Sequence, residues 1–398
     1  MTLTLCLLIA AWMLTALLYC GLGLDTERLH KAFRLAGLPA PGPLPPAAVM
    51  IPVTGRDNAT ETALRSLLEQ DYPNLTVYLA VYGTADPAHA LISALSSRYA
   101  HARLVHAPEA VRSGQKNQNL LSCLETVAPD TAVYVFCDAN HRAKPDFVRR
   151  LVHPILLGQA DFCTGYRRSR LCTTEPAATA FHAVNRFMLF LQSLPFFTQP
   201  WGGATAARAT AFKRLDVAGL WRRTVVDDSS LAGLLGKKGI PVLFCPDALL
   251  ESSARSVTRE ALDEWLYRQL FYPRVYTFGA WLLIGFCLVW FAAACAACPY
   301  ILFQAARGGG VPFLMQAAAL LVLCGQILLQ ELLRRRIAAD CPRSAWLKGL
   351  ALAATALFRN YARTVAGRSI VWRGIRYVLG ADGRVLGVER KGDAVIPS

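Results

Sequence analysis

Two acidic motifs follow apolar, β-rich runs of this sequence and place side chains where they could do chemistry. In the first, Asp138-Ala139-Asn140, a carboxylate is followed two positions later by a second oxygen donor. Such a pair suits a hard divalent cation, Mg²⁺ or Mn²⁺, that shares its coordination sphere with a diphosphate. An acid followed by Asn after a strand is also typical of a turn or a helix cap. We therefore predict Asp138 and Asn140 as metal ligands, with a capping role as the alternative.

The second motif, Asp227-Asp228, follows two valines and precedes two serines and an apolar helical stretch. This order is typical of a helix N-cap with an acidic first turn. It also suits a general base, which must come within hydrogen-bond reach of the hydroxyl that it deprotonates. Both interpretations stay open on the residues alone.

Two further motifs allow either a structural or a binding role. Trp201-Gly202-Gly203 suits an ordinary turn beside a buried tryptophan, or a close approach of the backbone to a ligand, because glycine has no Cβ. Lys116 suits a solvated loop position, or a point charge that binds phosphate. The sequence offers these residues as candidates for binding.

Alternating strands and helices must position these motifs. Apolar runs predict strands at 47–53, 75–82, 102–106 and 131–137, and helical periodicity predicts helices at 60–69, 88–99 and 117–126. This order predicts an α/β fold with a parallel, Rossmann-like sheet that binds ligands at the carboxyl ends of its strands. Asp86 and Asp138 both lie just past such strand ends.

Three apolar stretches, at residues 3–24, 278–303 and 311–333, come near the roughly 20 residues that a membrane-spanning helix needs. The chain is 54% hydrophobic and 17% charged, which is more apolar than a typical soluble protein. The first stretch lacks the pattern of a cleaved signal peptide, so we predict a retained anchor. A fourth apolar stretch, 345–358, is short for a span and is predicted to lie in or on the membrane.

The formal net charge is +15, and basic runs at 28–34, 167–170 and 334–336 carry part of it. The runs that follow the first and third apolar stretches predict a cytoplasmic α/β domain, in a multi-pass protein of the inner (cytoplasmic) membrane that contacts the phospholipid bilayer. Nucleic acid is not predicted as a partner, because no aromatic-and-basic recognition motif accompanies the charge.

The predicted units follow one another along the chain. They are an N-terminal transmembrane anchor (1–24), a linker (25–46), the α/β domain (47–257), an amphipathic interfacial helix (258–277), a transmembrane helical hairpin (278–333) and a cytoplasmic or interfacial C-terminal segment (334–398). The amphipathic helix carries Trp265, Arg268, Gln269 and Arg274. These residues suit an anchor at the membrane surface, and the cations also suit a departing diphosphate.

Five motifs follow one another along the chain: Leu68-Glu69-Gln70-Asp71-Tyr72-Pro73, Asp86-Pro87-Ala88, Asp138-Ala139-Asn140, Asp227-Asp228 and Trp372-Arg373-Gly374-Ile375-Arg376-Tyr377. Taken in this order, they resemble the ceramide glucosyltransferase family and its bacterial relatives, among the inverting glycosyltransferases of families 2 and 21 with the GT-A fold. The resemblance covers nearly the whole chain.

The resemblance assigns a role to each motif. It implies that Asp86 recognises the nucleotide, that Asp138 binds the metal and the diphosphate, and that Asp228 is the catalytic base, with Asp227 in support. The signature on the amphipathic helix adds Arg268, Gln269 and Arg274 to the donor site, and the family counterpart of the last motif returns Trp372 and Arg373 to the catalytic face. Lys116, Gly202 and Gly203 join the predicted donor site on the residue types alone. The signature at Arg268-Gln269-Leu270-Phe271-Tyr272 departs from the family, since Phe and Tyr stand where Arg and Trp are expected. Arg268 or Arg274 is the candidate for the missing cation.

The predicted function is transfer of a hexose, with inversion, from a UDP-sugar to a lipid hydroxyl, dependent on Mg²⁺ or Mn²⁺. UDP-glucose and UDP-N-acetylglucosamine are the candidate donors, and ceramide, diacylglycerol or a hopanoid-type lipid are the candidate acceptors. A processive polysaccharide synthase, which shares the aspartates, and a non-catalytic membrane protein that keeps the fold are the alternatives. No motif in the sequence specifies the sugar or the lipid.

Overall fold

The computed structural model describes residues 44–57, 59–254 and 257–390. The predicted anchor and nearly all of the linker that follows it lie outside these residues. The centre of the structure is a seven-stranded sheet. Its strands are β1 (Ala47–Val53), β2 (Leu75–Tyr82), β3 (Ala102–Ala107), β4 (Val133–Cys137), β5 (Phe162–Leu171), β6 (Ala204–Arg208) and β7 (Val242–Ala254).

The sheet has the strand order β3-β2-β1-β4-β6-β5-β7. The first four strands are parallel, as the sequence predicts, and β5 pairs in parallel with β7. Strand β6 runs antiparallel between β4 and β5, so the sheet is mixed rather than wholly parallel. Because β6 is reversed, its first residue, Ala204, pairs with the last residue of β4, Cys137. The Trp201 loop before β6 therefore lies at the carboxyl edge of the parallel strands.

Eight helices of the α/β domain surround this sheet. They are α1 (Thr60–Leu68), α2 (His89–Arg98), α3 (Gln115–Thr126), α4 (Phe147–Leu156), α5 (Pro176–Gln192), α6 (Ala209–Arg214), α7 (Val217–Trp221) and α8 (Asp227–Lys238). Alternate residues of β1 enter different cores: Val49 and Ile51 pack with α1, α2 and α4, whereas Ala48 and Met50 pack with α3, α7 and α8. Burial on both faces explains why β1 reads as a continuous apolar run.

Four helices follow the α/β domain: α9 (Arg259–Tyr276), α10 (Phe278–Ala306), α11 (Phe313–Ile337) and α12 (Arg343–Ala366). By length and composition, α10 and α11 are candidate membrane spans, with 29 and 25 residues and mean hydropathies of 2.2 and 1.8. They pack against each other around Cys298, Ile301 and Ala319. The two apolar stretches predicted as a hairpin are therefore two long helices in contact.

Helix α12 contains the short apolar stretch 345–358 and packs on the α/β domain. Its Gly349 lies so close to α5 that a Cβ there would stand 2.5 Å from the side chain of Thr179. Ala353 and Ala356 pack with Leu262 and Leu266 of α9. Small residues on one face thus allow α12 to pack closely against two helices.

A small antiparallel sheet follows α12, with strands β8 (Ser369–Trp372), β9 (Ile375–Leu379) and β10 (Val385–Arg390). Arg373 and Gly374 connect β8 to β9 with φ angles of 49° and 78°. Positive φ at both central residues is the geometry of a two-residue type I′ hairpin turn. The sheet packs on Val225, Val226 and Phe271. Residues 372–377 therefore return to the carboxyl edge of the large sheet, near the start of α8.

Candidate active site

Lys116, Asp138, Asp227 and Asp228, which we call the acid centre, come together at the carboxyl edge of the large sheet. The Lys116 Nζ lies 2.9 Å from Asp138 Oδ1 and 3.0 Å from Asp227 Oδ1. It also donates a hydrogen bond to the carbonyl oxygen of Gly202 at 3.2 Å. Lys116 is at the start of α3, Asp138 directly follows β4, and Asp227 begins α8. Elements far apart in sequence thus converge on one ammonium group.

Burial and charge set the protonation of this centre. Burial alone would lower the pKa of Lys116, but the carboxylates of Asp138, Asp227 and Asp228 raise it above its ordinary value. Burial would raise the pKa of Asp138, yet the Lys116 charge holds that pKa below its ordinary value. Burial, with the charges of Asp228 and Asp138, raises the pKa of Asp227 to about 6 in spite of Lys116. Lys116 and Asp138 are therefore charged at neutral pH, and Asp227 is the acid most costly to ionise.

Asp228 faces the cavity beside this ion pair. Its Oδ2 accepts a hydrogen bond from the backbone N–H of Gly202 at 3.0 Å, and its Oδ1 accepts one from the backbone N–H of Ser229 at 2.6 Å. The N-cap of α8 is Val226, so Asp227 and Asp228 form an acidic first turn without capping the helix. An acidic first turn is stabilised by the helix dipole, and the same position leaves Asp228 available to a ligand.

The paired glycines approach the acid centre and not the open cavity. A Cβ on Gly202 would stand 2.4 Å from Asp227 Oδ2 and 2.5 Å from Lys116 Nζ, and one on Gly203 would stand 2.4 Å from the Trp201 ring. Neither glycine is among the residues that line the cavity. The predicted close approach of backbone is therefore present, but its partners are protein side chains.

A cavity of about 540 Å³ opens over the acid centre. Its wall is assembled from the loop after β1, the residues that follow β4, the middle of β5, the Trp201 loop, the first turns of α3 and α8, one face of α9 and the β8–β9 hairpin. Among the lining residues are Thr54, Gly55, Lys116, Asp138, Asn140, Arg167, Trp201, Asp228, Trp265, Arg268, Gln269, Tyr272, Trp372, Arg373 and Tyr377. The size suits a ligand larger than a single hexose.

The donors at Asp138 and Asn140 fit a hard divalent cation that takes most of its ligands from substrate. Both residues line the cavity, and the Asp138 side chain keeps 30% of its surface exposed although one oxygen meets Lys116. In the described ranges no group of three His, Cys, Asp or Glu side chains could hold a metal ion. Mg²⁺ commonly binds one or two protein carboxylates and completes its shell with phosphate oxygens and water.

Asp86 contacts the cavity wall without being one of its lining residues. Its Oδ1 accepts hydrogen bonds from the backbone N–H groups of Gly55 at 2.9 Å and Ala88 at 2.8 Å. Gly55 belongs to the loop after β1, which lines the cavity. The carboxylate thus supports a cavity loop.

The predicted donor-binding residues of α9 do not all lie at the cavity. Arg268 and Gln269 line the cavity, and Arg268 Nη1 donates to the carbonyl oxygen of Val371 at 3.3 Å. Arg274 does not line it, because its guanidinium donates to the carbonyl oxygen of Gly367 and lies 5.9 Å from the Phe271 ring. Six residues turn a helix by about 240°, so Arg268 and Arg274 cannot share one face. The structure therefore does not bring Arg274 to the predicted site.

Arg167 is a cavity residue that the sequence interpretation assigned only to a basic run. Its guanidinium carbon lies 5.4 to 5.8 Å from the ring centroids of four aromatic residues: Tyr166, Phe181, Trp201 and Trp265. Successive strand residues point to opposite faces, and the neighbours Arg168 and Arg170 are exposed while Arg167 is half-buried. This alternation within the run was the signal that could have singled it out.

Comparison with solved structures identifies the class of fold. A mannosyltransferase from Pyrobaculum calidifontis, in complex with GDP-Man and Mn²⁺, has a TM-score of 0.56 at 17% identity, over 90% of this chain and 99% of that one. TarS from S. aureus, in complex with UDP-GlcNAc, has a TM-score of 0.38 at 12% identity, over 86% of this chain and all of that one. The first match shows that the mixed α/β fold is that of the GT-A glycosyltransferases, as the sequence predicts.

The family is shown by the sequence itself. The model of glycosyl transferase family 21 matches residues 10–385, and the chain belongs to that family. A search of curated proteins finds no match.

Proposed function

We propose that the protein transfers a hexose from a UDP-sugar to the hydroxyl of a membrane lipid, with inversion and with Asp228 as the general base. The observation that carries the proposal is the position of Asp228. Within the acid centre, its carboxylate faces the cavity, and hydrogen bonds from the backbone N–H groups of Gly202 and Ser229 fix its orientation. Ceramide glucosyltransferase-like specificity, with UDP-glucose or UDP-N-acetylglucosamine as donor, rests on the sequence resemblance.

The reaction is a direct displacement at the anomeric carbon. Asp228 accepts the proton of the acceptor hydroxyl while the hydroxyl oxygen forms a bond to that carbon. The bond from the carbon to the diphosphate oxygen breaks, and UDP departs with its electron pair. A general base within hydrogen-bond reach of its proton contributes about 10²- to 10⁴-fold to the rate. Attack from the face opposite the departing group inverts the configuration.

The other residues of the site bind and orient the donor. Lys116 holds Asp138 and Asp227 in place through its two ion pairs, and Asp86 supports the loop after β1. Asp138 and Asn140 would hold Mg²⁺ or Mn²⁺, which neutralises charge on the diphosphate when bound. Gln269 and Arg268 of α9 also line the cavity.

The proposal of a lipid acceptor is supported by contacts that connect the α/β domain and α12 to the two apolar helices. The ring of His182 in α5 is hydrogen-bonded to the carbonyl oxygen of Ile337, the last residue of α11, at 2.9 Å. Trp281, near the start of α10, stacks on Tyr361 of α12 with ring centroids 4.8 Å apart. Three arginines, 334–336, lie in the last turn of α11, as expected at a cytoplasmic membrane surface. These contacts support a cavity held near the bilayer, in reach of a lipid hydroxyl.

Asp228→Asn tests the assignment of the base. In the full chain in lipid nanodiscs, we expect UDP release with a lipid extract and candidate donors to fall by about 10²- to 10⁴-fold. Binding of UDP, measured by calorimetry, should stay close to that of the wild type, because the amide keeps the shape of the side chain. Turnover at more than a tenth of the wild-type rate would exclude Asp228 as the base. Mass spectrometry of the products identifies the lipid and distinguishes one added hexose from a polymer.

A further inference from the structure

The guanidinium of Arg167 is held in a fixed position in the cavity wall. Aromatic rings surround it at 5.4 to 5.8 Å, and its Nε donates a hydrogen bond to the side-chain oxygen of Asn185 on α5. Cation–π contacts of this kind are attractive and restrict the rotamers of a long side chain. Arg167 is therefore oriented toward the cavity before any ligand arrives.

Among the described residues, no carboxylate forms an ion pair with this guanidinium or with that of Arg268, although the charge of Arg167 also acts on Asp138. Their hydrogen-bond acceptors are neutral: the amide oxygen of Asn185 for Arg167 and the backbone carbonyl of Val371 for Arg268. Lys116 differs, because two carboxylates lie within 3.0 Å of its ammonium. A half-buried cation without a counterion is stabilised when an anion binds, and guanidinium groups bind phosphate oxygens with two parallel hydrogen bonds.

Trp265 lies beside one of these guanidinium groups and on the same helix as the other. It lies one helical turn before Arg268 on the cavity face of α9, and its ring is 5.4 Å from the guanidinium carbon of Arg167. The position where the family resemblance expects an arginine is Phe271, which is 1% exposed and packs with Ile370 and Tyr377 of the small sheet. Helix α9 thus offers the cavity a single guanidinium, and strand β5 offers another beside the same tryptophan.

We propose that Arg167 and Arg268 form a paired site for phosphate oxygens on the β5 and α9 side of the cavity. The proposal rests on the proposed function, which brings a diphosphate into this cavity. Two guanidinium groups match the charge of a diphosphate, whereas the charge of Lys116 is already neutralised by Asp138 and Asp227. Phosphate oxygens have two sources here: the diphosphate of the donor, or a phosphate in the headgroup of the acceptor lipid.

The test compares nucleotide binding in Arg167→Gln, Arg268→Gln and the wild type, all as the full chain in phosphatidylcholine nanodiscs. If the donor is the source, we expect the affinity for UDP to fall about 10- to 100-fold in each variant, the effect of losing hydrogen bonds to a charged group. The affinity for UMP, which lacks the second phosphate, should change less than threefold. Arg167→Lys, which keeps the charge but not the planar fork, should fall between Arg167→Gln and the wild type.

A competition arm addresses the lipid source. If UDP binding is unchanged in the variants, phosphatidic acid in the nanodisc should inhibit UDP release by the wild type more than diacylglycerol does, and this difference should disappear in Arg167→Gln. Unchanged UDP affinity together with an unchanged phosphatidic acid effect would overturn the proposal. So would an equal loss of UMP and UDP affinity, which indicates a distorted cavity.

The matched control is Arg168→Gln. Arg168 is the next residue on β5, is exposed, and points to the opposite face of the strand, so nucleotide affinity should stay that of the wild type. Thermal unfolding of each variant identifies any that is not folded, and Arg268→Gln carries the test if Arg167→Gln is one of them. Since the binding arm needs no turnover, a wild type that binds UDP but modifies no lipid would contradict the proposed function and leave this site standing.

Discussion

The acid centre and the arginines of the cavity satisfy their charges in different ways. In the acid centre, Lys116 is paired with carboxylates of the protein itself. Three of the arginines that line the same cavity are Arg167, Arg268 and Arg373, which we call the arginine wall. Each of these arginines donates a hydrogen bond to a neutral oxygen, of Asn185, Val371 and Thr54 respectively. The difference indicates that the charge of Lys116 is satisfied within the protein, whereas the arginine wall has charge left for an anion.

Lys116→Met breaks the acid centre most directly and should have the largest effect on stability. It removes the ammonium that lies between the carboxylates of Asp138 and Asp227. The side chain of Asp227 is 2% exposed. Removing one partner of a buried ion pair costs about 3–5 kcal/mol, because the remaining charge is left uncompensated. We expect that loss in the free energy of unfolding, measured by chemical denaturation of the full chain in detergent.

Two further variants sharpen this measurement. Lys213→Met removes an exposed lysine of α6 and should change the free energy of unfolding by less than about 0.5 kcal/mol. Adding Asp227→Asn to Lys116→Met should recover part of the loss, since the two residues are in contact and their effects are coupled. A Lys116→Met protein as stable as Lys213→Met would show that the acid centre is solvated and not internally compensated.

Short-range rules explain part of the acid centre. Asp138 directly follows a strand and Asp227 begins a helix, and parallel strands bring their carboxyl ends to one edge. Lys116 differs, because the sequence offers it as a solvated loop residue or a phosphate ligand, whereas it lies in α3 and pairs with Asp138 and Asp227. The arginine wall depends on how α9 and the small sheet pack on the domain, which no local pattern encodes. The sequence offers Arg274 as a candidate cation because it follows Arg268 on the same helix, but the rotation of α9 turns its guanidinium toward the carbonyl oxygen of Gly367.

Two other differences have the same origin. Asp86 was predicted from its position after β2, yet the turn directs its Oδ1 to the backbone of Gly55 and not into the cavity. Strands β5, β6 and β7 are not predicted, and β6 is a short run of small residues that carries little hydrophobic pattern. Local patterns predict the first half of the sheet, and the packing of neighbouring segments decides which side chains line the cavity.

Asp227→Asn tests the electrostatics of the acid centre through pH. The pKa of Asp227 is raised from 3.8 to about 6 in the folded protein. An acid whose pKa is raised by folding stabilises the folded protein at pH values below the pKa of the unfolded state. That stabilisation is lost as the pH rises through the pKa of the folded state. The wild type should therefore lose stability relative to Asp227→Asn between about pH 4 and 6, by about 1–3 kcal/mol in the free energy of unfolding. A difference that stays constant from about pH 4 to 7 would contradict this account of the acid centre.

Arg373→Asn should have the smallest effect and bears on the arginine wall. Arg373 adopts a φ of 49° in the β8–β9 turn, and its Nη1 donates to the carbonyl oxygen of Thr54 at 2.6 Å, next to the loop that Asp86 braces. Asparagine tolerates this left-handed conformation, so the substitution removes the guanidinium and keeps the turn. One such hydrogen bond contributes about 0.5–1.5 kcal/mol, which predicts a KM for the donor raised about 2- to 10-fold with kcat nearly unchanged. The control is Arg376→Asn, three residues along the hairpin, where Arg376 forms an exposed ion pair with Glu389. This variant should leave the KM for the donor unchanged. An equal rise in KM in both variants would show that the hairpin acts as a whole and that the Arg373 contact has no separate role.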